Sequence, residues 1–296
     1  MLDLTIIIIN YETPNLVQNL VESILCTVKN LNYEIVVVDN SSNENLRFKH
    51  GSKLVKIFNL SENRGFAHAN NFGVRNSSGR CLLFLNSDAI VYENSIECAY
   101  TYFIQQTKVG VLGIRQLLPN GELDGGCKRG FPSPMVALYY FLGLSKRFKN
   151  SKRFGAYQQT FIDEFDVAEV DSVSGAFMLI KRSVFNLLCG FDEKFFLYGE
   201  DVDLCYRLKQ QGFKNIYFGK VYFTHLKNRS GVGSLQTIKC FYDSMKIFYD
   251  KHYKKKYCIL VNFVVKLAIE LKYTLAKCMF FKDCVFFKRE RNKKNG

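Results

Sequence analysis

Asn86, Ser87 and Asp88 end the apolar run Leu82–Leu85. Four apolar residues that stop on a carboxylate describe a buried strand leaving the core at a polar edge. A carboxylate fixed at the end of a rigid strand can hold a divalent cation; the same residues also serve as a polar turn closing the strand. Asp39 stands at the end of a second such run, Glu34–Val38, where it meets a ligand or caps the next helix, since "DNSS" is rich in capping residues. Asn10 closes Leu4–Ile9 and Asn59 comes after Leu54–Phe58. Glu200, Asp201 and Asp203 cluster in "YGEDVDLCYRL". Acids there interact favourably with a helix dipole, and Asp203 is spaced to pair with Arg207. His225 ends "VYFTH", and a lone His is more often structural than functional.

The elements that must position these groups alternate. Strand Leu4–Ile9 precedes a helix opened by Pro14, whose apolar face includes Leu16, Leu20, Ile24 and Leu25. Strands Glu34–Val38, Leu54–Phe58 and Cys81–Leu85 come next, with a helix from Gly65 to about Val74. Continuously apolar strands alternating with helices predict a parallel sheet covered on both faces. In such sheets ligands bind beyond the carboxyl ends of the strands, where Asn10, Asp39, Asn59 and Asn86–Asp88 fall. No G-x-G-x-x-G comes after the first strand and no G-x-x-x-x-G-K-[ST] occurs, which argues against a dinucleotide oxidoreductase or a P-loop enzyme. The stretch from Pro119 to about Ala168 reads as irregular, with a basic segment "LSKRFKNSKRFG" that either covers the site or is a solvated excursion.

The chain has 296 residues, 48% of them hydrophobic, enough for one large domain or two small ones. Its 10 Cys form no C-x-x-C pair and predict reduced thiols of a cytosolic compartment. The start, "MLDLTIIIIN", lacks a basic region and a long apolar run, and reads as a first strand rather than a signal peptide. From Lys251 onward 13 Lys or Arg face 3 acids, a net of +10, which leaves about +4 of the formal +14 for the rest. Charge so placed argues against a nucleic-acid surface and for a basic tail with an anionic partner. In that tail Lys266, Glu270, Tyr273 and Lys277 fall on one helical face. A charged stripe is wrong for a membrane span and right for an amphipathic helix in the membrane interface, or for a helix packed on the fold with a wet polar face. The expected division is residues 1–250, with halves 1–115 and 116–250, and a basic amphipathic tail, 251–296.

Taken in order, "IIIINYETPNLVQNLVESI", "IVVVDNSS", "NLSENRGFAHANNFGV", "LFLNSDA", "VSGAFMLIKRSVF", "GFDEKFFLYGEDVDLCYRLKQQG" and "VYFTHLKNRSGVGS" resemble the signature segments of family 2 inverting glycosyltransferases, and most closely their rhamnosyltransferase-like branch. The resemblance covers about Leu4 to Lys251. It implies the α/β GT-A fold: a Rossmann-like, mixed but mostly parallel sheet with helices on both faces, here with C-terminal amphipathic helices added. It implies transfer of rhamnose or a related hexose from a dTDP- or UDP-sugar to a hydroxyl of a lipid-linked or polysaccharide acceptor.

Carried over by position, the resemblance makes Asn10, Tyr11, Glu12 and Asp39 the nucleotide pocket, with Asp39 accepting from the base N3–H. Arg64, Gly65, Asn70 and Ser87 complete the donor site. Asp88 and His225 become ligands of Mg²⁺ or Mn²⁺, Arg229 a weak phosphate contact, and Asp192 and Glu200 acceptor-side residues. Asp201 becomes the general base. Where the family commonly shows Asp-x-Asp, this chain has Asn86-Ser87-Asp88, which removes one charge from the metal site. A peripheral protein of the cytoplasmic membrane face is expected, with no nucleic-acid partner; a homo-oligomer stays open. The alternatives are a nucleotidyltransferase on a similar sheet and a catalytically silent, membrane-bound sugar-binding or scaffold protein.

Overall fold

The computed structural model describes residues 2–41, 52–227 and 234–294, with side chains as far as residue 282. Two compact units result: 1–193 with 200–230, and 194–199 with 231–296.

In the first unit β1 (Leu4–Asn10), α1 (Pro14–Thr27), β2 (Tyr33–Asp39), β3 (Val55–Asn59), α2 (Phe66–Arg75) and β4 (Cys81–Asn86) succeed one another. These bounds lie within about a residue of those predicted. Then come β5 (Ala89–Val91), α3 (Ser95–Ile104), β6 (Val109–Leu117), β7 (Lys128–Arg129), α4 (Pro134–Phe141), α5 (Leu144–Arg147), β8 (Val167–Val170), β9 (Ser172–Val173), β10 (Phe177–Lys181), α6 (Arg182–Leu187), α7 (Glu200–Gln210) and β11 (Lys214–His225). A nine-stranded sheet runs β3-β2-β1-β4-β10-β6-β11-β5, with β8 on β11, and β7 and β9 form a separate pair.

Every residue of β1 and β2 is buried, because helices cover both sides. Ile6 and Ile8 pack with Leu20 and Ile24 of α1 and Phe103 of α3. Ile7 and Ile9 face the other way, among Ala67 of α2, Phe185 of α6 and Leu204 of α7. Each buried aliphatic side chain contributes about 1.5–3 kcal/mol, so the two layers hold the sheet rigid. Gly73 lets α2 approach: a Cβ there would meet Ile7 Cγ2 at 2.9 Å.

Three strands depart from the parallel expectation: β5 and β8 both pair antiparallel with β11 at the far side of the sheet, and β10 runs antiparallel to its neighbours in the middle. β10 runs antiparallel to both β4 and β6, while β6 pairs in parallel with β11. The apolar run "AFMLI" carries no directional signal, so only the three-dimensional connection fixes its sense. The result is a mixed sheet in which β1–β4, β6 and β11 end, and β10 begins, on one edge. The segment expected to be irregular contains β7, α4, α5 and the start of β8.

The second unit holds α8 (Leu235–His252), a 3₁₀ turn at Lys254–Lys256 and α9 (Ile259–Lys294). The polar stripe of α9 is turned toward α8, where its charges stay half-exposed. Glu270 pairs with Lys246 of α8 at 2.6 Å, Lys266 pairs with Asp250 at 2.8 Å, and the Tyr273 ring lies 5.6 Å from Tyr242. Lys246 and Asp250 sit one turn apart on α8, so an antiparallel neighbour with Glu and Lys at the same spacing neutralises both. Apolar residues of α9 are exposed as well, among them Leu260, Phe263, Val264, Leu267, Leu271 and Leu275. Among the described residues no helix is long and apolar enough to cross a membrane.

Candidate active site

The ends of β1 and β2 lie side by side, with Asn10 in register with Asp39. Asp39 is fully buried, and Asn10 Nδ2 donates to its Oδ1 at 2.9 Å. The Ser41 N–H donates to the same oxygen at 3.0 Å, and Ser41 Oγ accepts from the Glu12 N–H at 2.9 Å. Asn10 Oδ1 accepts from the Thr13 N–H, and Thr13 Oγ1 lies 3.3 Å from Ser87 Oγ, which links the network to the end of β4. Asn10, Asp39, Glu12 and Ser87 are thus gathered by one polar network. Thr13 and Ser41, which the sequence did not single out, hold it together, and their proximity to Glu12 and Asn40 in the chain was the available signal. Glu12 is exposed at a left-handed φ of 56°, and Tyr11 is half-buried beside it.

The loop before α2 folds back on β2: Asn40 Nδ2 donates to Asn63 Oδ1, and the Arg64 N–H donates to Asn40 Oδ1. Gly65 takes φ 90°, a conformation that disfavours any side chain, and α2 then opens without a side-chain cap. The Arg64 guanidinium is exposed and lies 3.8 Å from Glu62. Asn70 is buried, and its amide donates to the Phe66 carbonyl one turn back.

Its neighbour Asn71 does more. Its Nδ2 donates to the Phe191 carbonyl and to Glu193 Oε1, both at 2.9 Å, and its Oδ1 accepts from the Phe191 N–H. His68 Nδ1 meets Glu193 Oε2 at 2.7 Å. The helix of the "HANN" motif therefore clamps the loop that carries Asp192, which is itself half-buried. Asn71→Ala is expected to cost about 2–4 kcal/mol, because the Phe191 N–H and carbonyl each lose a buried partner; denaturant unfolding measures it.

Asp88 and His225 come together through strand pairing. Ala89 of β5 is in register with His225 of β11, so the residue before Ala89 falls beside the imidazole. His225 Nε2 lies 3.0 Å from Asp88 Oδ1, and Asn86 Nδ2 lies 3.3 Å from the same nitrogen. On the other side of the ring Gln116 Nε2 is 2.8 Å from Nδ1 and donates to Asp124 Oδ2, which also holds Lys227 Nζ at 3.0 Å. Burial works against the charged imidazole, but the Asp124 and Asp88 carboxylates outweigh it and push His225 up to about 9. Burial likewise opposes the Asp124 charge, yet the His225 ring, the Gly126 N–H and the Lys227 ammonium hold its carboxyl well below the usual range.

Among the described residues no group of three or more His, Cys, Asp or Glu converges as a metal centre. Asp88 Oδ1 and His225 Nε2 face each other across 3.0 Å, and a cation between them would displace the proton that the imidazole holds there. That donor pair fits a divalent cation, Mn²⁺ more readily than Mg²⁺, that takes its other ligands from phosphate oxygens and water. Arg229 lies outside the described residues.

The acidic pair reaches the same edge because β10 runs backward. Gly175, in the turn that opens β10, donates its N–H to Asp201 Oδ2 at 2.9 Å. Arg129, on β7, donates to the same oxygen at 2.5 Å. The Val202 N–H donates to Oδ1, so Asp201 is held on both oxygens in the first turn of α7. Asp203 is fully buried and pairs with Arg207 at 2.7 Å; Arg207 in turn donates to the Leu188 and Gly190 carbonyls. Neither Arg129 nor Gly175 stands out in the sequence.

Glu200 is buried beside this pair, and its Oε2 has no partner among the described residues. Burial, reinforced by the Asp201 charge, pushes its carboxyl up to about 8. The unfolded chain releases that proton near the ordinary value of 4.5, the folded one near 8. Stability must therefore fall as pH rises between those values. Glu200→Gln is expected to remove the fall between pH 5 and about 6.5 and to lessen it above, where His225, raised from 6.5 to about 9, adds a fall of its own; thermal unfolding from pH 5 to 9 checks both.

Three similarities agree with this architecture. The hexosyltransferase of low-salt glycan biosynthesis Agl10, from Haloferax volcanii, is 29% identical over 74% of this chain, which spans 64% of that protein's length. The rhamnosyltransferase WbbL of Escherichia coli is 27% identical over 76% of this chain and 85% of its own. The crystal structure of GalNAc-T7 with UDP, GalNAc and Mn²⁺ superposes with a TM-score of 0.55 at 17% identity, over 83% of this chain and 48% of that one. At that identity the superposition shows the GT-A fold. Residues 5–186 match the family described as Glycosyl transferase family 2. With more than half of its 296 residues matched in this way, the chain belongs to glycosyl transferase family 2.

Proposed function

We propose that this glycosyltransferase is an inverting enzyme that moves rhamnose or a related hexose from a UDP- or dTDP-sugar to a hydroxyl of a lipid-linked or polysaccharide acceptor. The observation that carries the proposal is the pairing of Asp88 with His225 at 3.0 Å, on the sheet edge that also holds Asp39 and Asp201. Asp39, with Asn10 and Ser41 around it, would receive the base N3–H. Asp88 and His225 would hold Mg²⁺ or Mn²⁺, which when bound neutralises the charge growing on the departing diphosphate. Asp201, oriented by Arg129 and Gly175, would take the proton of the attacking hydroxyl. Glu200 and Asp192 would stand on the acceptor side.

The exposed apolar face of α9, with its Lys- and Arg-rich surroundings, supports attachment to an anionic membrane at the cytoplasmic face. Truncation after Lys251 is then expected to weaken binding of the protein to anionic vesicles.

A thermal-shift panel of UDP- and dTDP-sugars with Mn²⁺, completed by product analysis, tests the function. Stabilisation by one nucleotide class, with release of nucleoside diphosphate in the presence of acceptor, supports the proposal. Release of pyrophosphate from a nucleoside triphosphate, or no donor binding at all, overturns it.

A further inference from the structure

The segment after β7 carries a surface that the transfer chemistry does not use. α4, "PMVALYYF", contains no buried residue. Met135, Leu138, Phe141 and Leu142 form a stripe along it at helical spacing and stay exposed, Leu142 to 63%, and Phe148 continues the patch. An exposed stripe this apolar suits an apolar environment.

The charges around it say which kind. From Phe131 to Ile162 the chain has Lys146, Arg147, Lys149, Lys152 and Arg153 and no Asp or Glu. None of these five pairs with a carboxylate among the described residues; Arg153 instead donates to the Tyr139 hydroxyl. Aromatic and aliphatic side chains with a ring of unneutralised Lys and Arg match the boundary between acyl chains and anionic headgroups. A nucleic acid would leave the apolar stripe wet.

The surface is also tied to the acidic pair. The Tyr140 ring lies 4.7 Å from Tyr157, the Tyr157 carbonyl accepts from the Gly130 N–H at 2.8 Å, and the next residue back, Arg129, holds Asp201. We propose that the α4–α5 hairpin, residues 134–154, docks on an anionic phospholipid bilayer, with Met135, Leu138, Phe141 and Leu142 in the interface and the basic cluster over headgroup phosphates. It is a membrane contact carried by the catalytic unit's own residues. The docking stands without the transfer proposal; the corollary, that an acceptor carried in the bilayer is delivered to the Asp201 side, rests on it.

The chain has no Trp, so Phe141→Trp creates a single tryptophan reporter on the hairpin, and Leu271→Trp creates one on α9. Each full-length variant is titrated with vesicles of phosphatidylglycerol and phosphatidylcholine, and with phosphatidylcholine alone. The expected result for Phe141→Trp is a shift to shorter wavelength on the anionic vesicles and quenching by brominated lipid. Replacing Lys146, Arg147, Lys149 and Lys152 by Gln in that background is expected to weaken the response at least about tenfold, since each basic residue near an anionic surface contributes about a factor of five.

An unchanged Phe141→Trp spectrum while Leu271→Trp responds overturns the proposal and leaves the tail reading intact. An equal response on neutral vesicles, or one indifferent to the charge variant, also overturns it. So does a blue-shifted emission without vesicles that grows with protein concentration, which would assign the surface to a second copy of the chain.

Discussion

Asp201→Asn is expected to lower sugar transfer by roughly 10²–10⁴-fold while donor binding stays nearly unchanged. The substitution keeps the size of the side chain and one oxygen that can accept from the Gly175 N–H, and removes the capacity to take a proton. It also leaves the Arg129 guanidinium without its countercharge. Breaking a buried ion pair costs about 3 kcal/mol, so the comparison is made well below the unfolding midpoint of the variant. Transfer is monitored by nucleoside diphosphate release, and donor binding by calorimetry with UDP and dTDP. Loss of donor binding with transfer retained would remove Asp201 from the role of base.

Asp88→Ala and His225→Ala are expected to abolish the effect of Mn²⁺ on donor affinity and to lower transfer by about 10²–10³-fold, the scale of a lost electrostatic stabiliser of a leaving group. Either change deletes one of the two donors that face each other across 3.0 Å. With Asn86 in place of a second carboxylate, no other acidic residue of "NSD" compensates. Chelation of the wild type by EDTA should mimic both variants. Full transfer by the chelated wild type would overturn the metal assignment and leave the Asp201 prediction standing.

Much of the fold was legible because its first half is written locally. Apolar runs that stop on Asn10, Asp39 and Asn86 mark strands and the edge at which they end, and both features appear at the expected residues. The polar groups at those ends do meet, Asn10 with Asp39 and Asp88 with His225. What escaped depends on distant pairing. Nothing within "AFMLI" says that β10 runs backward, yet that reversal brings Gly175 to Asp201. Arg129, in "CKRGF", looks like any surface arginine until the β7–β9 pair sets it beside α7. Gln116 and Asp124 flank His225 only because β6 and β11 are neighbours. The stripe on α9 has the expected spacing, but its pairing with Lys246 and Asp250 was not legible, since those complementary charges lie on another helix.

The placement of β11 also bears on how the protein comes into being. This one strand pairs with β6, β5 and β8, and its last residue is His225. During synthesis the strands β1 to β4 can associate early, because their partners are close in sequence, whereas non-local pairings form late. The strand that closes the sheet is therefore also the one that delivers the imidazole to Asp88. A nascent or truncated chain with a well-formed parallel half would still lack that contact, so the Asp88–His225 pair arises only once the unit has closed.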